Sequence, residues 1–107
     1  MTRLLGIDLG ERRIGLAVAE PGREPALPLT TMRRGRSIAA DAERLANVIR
    51  EQRIDELVIG LPLEARGTEG TMSAAARFWA AGIGAALALP VVFRDERLSS
   101  HLAETRL

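Results

Sequence analysis

The stretch Leu4-Leu5-Gly6-Ile7-Asp8-Leu9-Gly10-Glu11-Arg12-Arg13-Ile14-Gly15-Leu16-Ala17-Val18-Ala19 decides the fold. Leu4 to Ile7 predict a strand buried on both faces. Ile14 to Ala19 predict its neighbour, and Glu11, Arg12 and Arg13 fall at the tip of the hairpin between them. Asp8 then stands at the end of the first strand. A buried carboxylate is costly unless it is paired, hydrogen-bonded or bound to a cation. An aspartate at a turn also commonly accepts backbone N–H bonds, so the strand pattern alone leaves both readings open.

Further along, a Pro- and Gly-bearing connection from Pro21 to Pro28 precedes a short third strand at Leu29 to Met32. Arg33, Arg34, Gly35 and Arg36 make a basic loop. Ser37 is the expected N-cap of a helix reaching Gln52, with Ile38, Ala42, Leu45 and Ile49 on one face. Leu57 to Ile59 end at Gly60 and read as a buried strand. A polar loop, Pro62 to Gly70, leads to an Ala-rich helix from Thr71 to Leu87. Leu89 to Phe93 give a fifth strand, with Pro90 marking its boundary. A last helix is expected near Ser99.

The order is β-β-β-α-β-α-β-α. It predicts an α/β fold in which three strands form an antiparallel meander and two right-handed crossovers place strands four and five parallel to strand one. Asp8, Gly60 and the Asp95-Glu96 pair then share one rim, although they are far apart in sequence. Ligands of open α/β sheets bind at the carboxyl ends of strands, which favours a functional Asp8.

Composition sets the surroundings. A chain of 107 residues, 47% hydrophobic and 27% charged, suits one domain. It has no cysteine, which removes disulfides and thiolate metal sites. No apolar stretch approaches the length of a membrane span, and the N-terminus has no basic segment leading into a long apolar one, so neither secretion nor a membrane partner is expected. The net charge of +1 does not by itself point to nucleic acid. All 15 basic residues are arginine. The guanidinium fork suits phosphate, but a GC-rich coding bias gives the same replacement of lysine.

Carboxylates without cysteine or a nearby histidine make an oxygen-only site, suited to Mg²⁺ or Mn²⁺ rather than zinc. Two such ions suit phosphodiester hydrolysis. In this reading Asp8 bridges the ions and Glu96 binds one. Asp95 is the less settled ligand, because neighbouring strand residues point to opposite faces. Asp95 and Glu96 also compete as caps of the following helix or as partners of Arg94 and Arg97.

Five segments occur in the order of a known family: Gly6-Ile7-Asp8-Leu9-Gly10, Arg13-Ile14-Gly15-Leu16-Ala17-Val18, Gly60-Leu61-Pro62-Leu63, Gly67-Thr68-Glu69-Gly70 and Asp95-Glu96-Arg97-Leu98-Ser99-Ser100. The chain resembles the bacterial Holliday-junction-resolvase-like proteins, also described as candidate pre-16S rRNA nucleases, of the RNase H-like superfamily. The first segment alone is shared with actin-like ATPases and sugar kinases. The resemblance implies an RNase H-like five-stranded mixed sheet flanked by helices, a cytoplasmic location and a role in maturing the 5′ end of 16S rRNA. It supports Asp8 and Glu96 as catalytic metal-site acids.

Family members continue further and carry another aspartate on a C-terminal helix. This chain stops at Leu107, so a C-terminally short form or impaired activity is expected. Glu20 stands where the family usually has aspartate after the second strand. Arg12, Arg13, Arg97 and Ser99 are candidate substrate contacts, and Arg33, Arg34 and Arg36 candidate phosphate contacts, each against a solvated-surface alternative. Phe78 and Trp79 are expected to pack rather than stack on bases. His101 is expected on the surface, and Glu69 in a turn without a catalytic part. Three functions compete: a nuclease on structured RNA or branched DNA, a binding module without catalysis, and an ATP-binding relative of the sugar kinases, which would need a second such domain.

Overall fold

Alternation along the strands, rather than burial on both faces, organises the sheet. In β1 (Leu4–Leu9), Leu5 and Ile7 are buried while Asp8 is exposed. In β2 (Arg13–Glu20), Ile14 and Leu16 are buried. The expectation of two buried faces is corrected among the described residues, because both described helices pack on one side. The computed structural model describes residues 2–20, 23–61 and 71–95, with backbone alone at 23–25, 61, 71–73 and 95. The last helix expected near Ser99, with His101 on it, and the loop 62–70 lie outside them.

The remaining elements are β3 (Arg23–Arg33), α1 (Ile38–Gln52), β4 (Glu56–Leu61), α2 (Thr71–Leu87) and β5 (Val91–Asp95). They build one five-stranded sheet in the order β3-β2-β1-β4-β5. β1 runs antiparallel to β2 and parallel to β4, and β4 is parallel to β5. The expected meander and crossovers are therefore present. β3 is much longer than the sequence reading allowed. Proline is tolerated on an edge strand, and β3 is an edge whose register shifts where Pro28 meets Ala17. β5 begins after Pro90, two residues later than expected.

Core and cap explain the helices. The Ser37 hydroxyl accepts from the Ala40 N–H at 3.0 Å and starts α1 as its composition predicts. Leu5, Ile7, Ile14, Leu16, Leu57 and Ile59 of the sheet join Ala42 and Leu45 of α1 and Trp79, Ala80 and Ile83 of α2 in one buried cluster. α2 approaches closely because it is small there. A Cβ at Gly82 would lie 2.8 Å from Ile38 Cγ2, and one at Gly84 would lie 2.7 Å from Val91 Cγ2. Trp79 is buried as expected, whereas Phe78 next to it is 74% exposed.

One polar network crosses this core. Asp41 is only 2% exposed and accepts from the Gly35 N–H at 2.6 Å, Arg44 Nη2 at 2.9 Å and Trp79 Nε1 at 3.0 Å. Burial alone would raise its pKa. The hydrogen bonds from Gly35, Trp79 and Arg44, with the charge of Arg44, hold it below the ordinary aspartate value instead. The network locks the loop after β3 to both helices. At the opposite end of the sheet, Arg3 pairs with Glu20 and donates Nε to the Gln52 carbonyl at 2.6 Å. Glu20 thus ties down the end of the sheet remote from Asp8.

Candidate active site

The register places Thr31, Gly15, Asp8, Gly60 and Arg94 side by side across all five strands. All five line an open trough of about 620 Å³ on the face opposite the two described helices. Asp8 is its one acid among the described lining residues. Glycine on both sides leaves backbone as the floor around the carboxylate. The nearest approach shows how much room this creates: a Cβ added at Gly15 would meet Asp8 Cβ at 3.6 Å, an ordinary contact that would fill the floor. Gly6 and Ala17 extend the floor away from the rim, with Val58 beside them.

Sequence reasoning placed Asp8 near the end of its strand, level with Gly60, but missed the row. Thr31, Gly15 and Arg94 become visible only when alternation is counted outwards from Asp8 through the strand register. Arg12 is exposed in the β1–β2 turn, and Arg13 is exposed at the start of β2. Arg33 belongs to the end of β3 rather than to a loop, directly opposite Arg13. Asp95 closes β5 opposite Leu61, one step beyond the row of Asp8. Glu96, Arg97 and Ser99 lie outside the described residues.

The donor chemistry at the centre of the row is oxygen only, from the Asp8 carboxylate. Such donors fit a hard divalent cation. Among the described residues, no group of three or more histidine, cysteine, aspartate or glutamate side chains is placed to hold a metal. Asp8 offers one carboxylate there, fewer than the several oxygen ligands that a divalent cation takes.

A five-stranded mixed sheet in this strand order, with both described helices packed on it, has the RNase H-like fold. The resemblance in fold is direct: RuvC of Thermus thermophilus, in a structure described as a complex with Holliday junction substrate, superposes with a TM-score of 0.58 at 19% identity, over 89% of this chain and 65% of that one. A ROK family protein from Streptococcus pneumoniae, described in complex with sucrose, superposes with a TM-score of 0.59 at 19% identity, over 88% of this chain and 34% of that chain. At these identities both comparisons carry the fold alone.

Sequence goes further. The profile of the RuvX family, described as Holliday junction resolvase, matches residues 2–107, and the chain belongs to that family. A protein of Anaeromyxobacter sp. (strain K) named "Putative pre-16S rRNA nuclease" is 48% identical over 105 residues, covering 98% of this chain and 76% of that protein. One of the same name from Moorella thermoacetica is 41% identical over 101 residues, covering 94% of this chain and 71% of that protein.

Proposed function

We propose that this chain is a divalent-metal-dependent nuclease that cleaves structured RNA in the maturation of the 16S rRNA 5′ end, working in the cytoplasm as one RNase H-like domain over 1–107. The supporting observation is Asp8 on a glycine floor at the carboxyl end of the central strand, in a member of the RuvX family. Branched DNA is the alternative substrate. Asp8 and Glu96 are the acids of the catalytic centre, with Asp95 as a further ligand. Mg²⁺ or Mn²⁺, read as a pair of ions, supplies activation of water and neutralises charge on the leaving oxygen when bound.

The protein's own residues have separable tasks in this reading. Asp8 would hold a divalent cation through its carboxylate. Gly15 and Gly60 leave space for a phosphodiester to lie against the sheet beside it. Arg12, Arg13, Arg97 and Ser99 hold the flanking backbone, where charge-assisted hydrogen bonds to phosphate are strongest.

Asp8→Asn is expected to lower Mg²⁺- or Mn²⁺-dependent cleavage of a pre-16S rRNA 5′ segment by at least about 10²-fold, the low end of what a positioned reacting group contributes. Its melting temperature should stay unchanged, because Asp8 is exposed. Cleavage that survives the substitution removes this site. A parallel assay on a four-way DNA junction separates the two substrates. One observation favours a second reading, a nucleic-acid-binding module without catalysis: the trough holds a single acid among the described residues. Salt-sensitive RNA binding with no metal-dependent cleavage by the wild-type chain would decide for it.

A further inference from the structure

Four arginines around the β2–β3 end of the sheet fall into two groups. Arg34 and Arg44 are committed to the fold: Arg34 Nη1 donates to the Gly10 carbonyl at 3.1 Å, and Arg44 Nη2 donates to the Arg33 carbonyl and to Asp41. Arg13 and Arg33 are exposed and stand directly opposite each other in the β2–β3 ladder. By alternation they share the face of Gly15 and Thr31, and so of Asp8. No acid pairs with either among the described residues. Like charges directly opposite each other destabilise an antiparallel pair. An opposed pair that the fold leaves uncompensated, one row from the candidate catalytic carboxylate, is suited to an anion.

We propose that Arg13 and Arg33 form a phosphate clamp that grips the RNA backbone beside the bond lying over Asp8. This deepens the nuclease reading and rests on it for the position of the cut. With strands about 4.8 Å apart and about 3.4 Å per residue along each, the Arg13 and Arg33 Cα atoms lie roughly 8 and 12 Å from that of Asp8. Those separations put the guanidinium groups over backbone flanking the reacting phosphate rather than over the phosphate itself. Each planar fork can bind phosphate oxygens through two parallel N–H bonds.

The clamp is held ready before RNA arrives. The Gly10 N–H donates to the Arg13 carbonyl at 2.8 Å, and the Arg34 N–H donates to the Arg12 carbonyl at 2.9 Å. Together with the Arg34 side chain on Gly10, these bonds join the β1–β2 turn to the chain leaving β3. The backbones that carry the two arginines are thus fixed relative to each other. Arg94 ends the Asp8 row at the opposite edge of the sheet.

The test is fluorescence anisotropy of a labelled pre-16S rRNA hairpin with the 107-residue chain across a salt series without divalent ions. Arg13→Gln and Arg33→Gln should each flatten the plot of log K against log salt by about 0.7 to 0.9, one phosphate contact, with the double variant flattening it by about twice as much. Arg50→Gln, on α1 and exposed on the helical side, should leave the slope unchanged. Arg33→Gln should melt no lower than wild type, since it relieves a repulsion. Slopes equal to wild type in both single variants, or a flattened slope that appears only with a lowered melting temperature, overturn the clamp. The cleavage assay is independent of these outcomes: a wild type that binds through Arg13 and Arg33 but does not cut retains the clamp and refutes the nuclease.

Discussion

The two faces of the sheet are made by alternate residues of the same strands and have opposite character. On the helical face, Leu5, Ile7, Ile14, Leu16, Leu57 and Ile59 meet Trp79 and Leu45 in a closed core. On the other, Gly6, Asp8, Gly15, Ala17 and Gly60 leave a trough with one carboxylate, and arginine stands at its rim. No described helix covers that second face. Large side chains specify the fold on one side, and small ones make room for chemistry on the other. Stability and activity should therefore separate by face.

Trp79→Ala should break the helical face most severely. Truncating a buried tryptophan costs about 3 to 5 kcal/mol, and here it also removes a donor from Asp41. At roughly 4 to 8 °C per kcal/mol, calorimetry should find the melting temperature lowered by at least 12 °C. Asp41→Asn should cost less, about 2 kcal/mol, because hydrogen bonds to a charged acceptor weaken. Its deficit should depend on pH. The folded-state pKa of Asp41 is depressed, so the unfolded chain binds the proton first and the contribution is complete above the ordinary aspartate value near 3.9. Chemical denaturation should show the difference between wild type and Asp41→Asn shrinking as pH falls through and below that value.

Gly15→Ala tests the other face, with the smallest change in stability. Its Cβ would make only ordinary contact, and replacing a strand glycine by alanine gains about 0.5 to 1 kcal/mol of backbone entropy. Cleavage should nevertheless fall about tenfold, equivalent to about 1.4 kcal/mol, because the methyl fills the floor beside Asp8. A variant that is both more stable and less active would sharpen the contrast between the faces. Full activity in Gly15→Ala would break it.

Much of this contrast was legible in the chain. Ser37 as a cap, the bounds of α2 and the parallel placement of β4 and β5 follow from local chemistry and from the handedness of crossovers. Misreadings arose where tertiary context overrides local preference. Pro28 looked like a strand breaker and proved tolerable on an edge. Leu4 to Ile7 looked buried on both faces, because an apolar run does not say on which side the helices pack. The rim that gathers the strand ends was legible, but the row across it was not. Gly15 and Gly60 carry no chemical signal of their own, and their meaning comes from standing next to Asp8.

The central position of β1 also has a kinetic consequence. Its antiparallel partner β2 follows after a tight turn, so that pairing closes a short loop early. The parallel pairing of Asp8 with Gly60 spans about half the chain and waits for α1 to form and dock. Long-range closures carry the larger entropic barrier and set the pace of folding. The meander can thus form while the floor on the Gly60 side of Asp8 is still missing, and the trough would be among the last features to be completed during refolding.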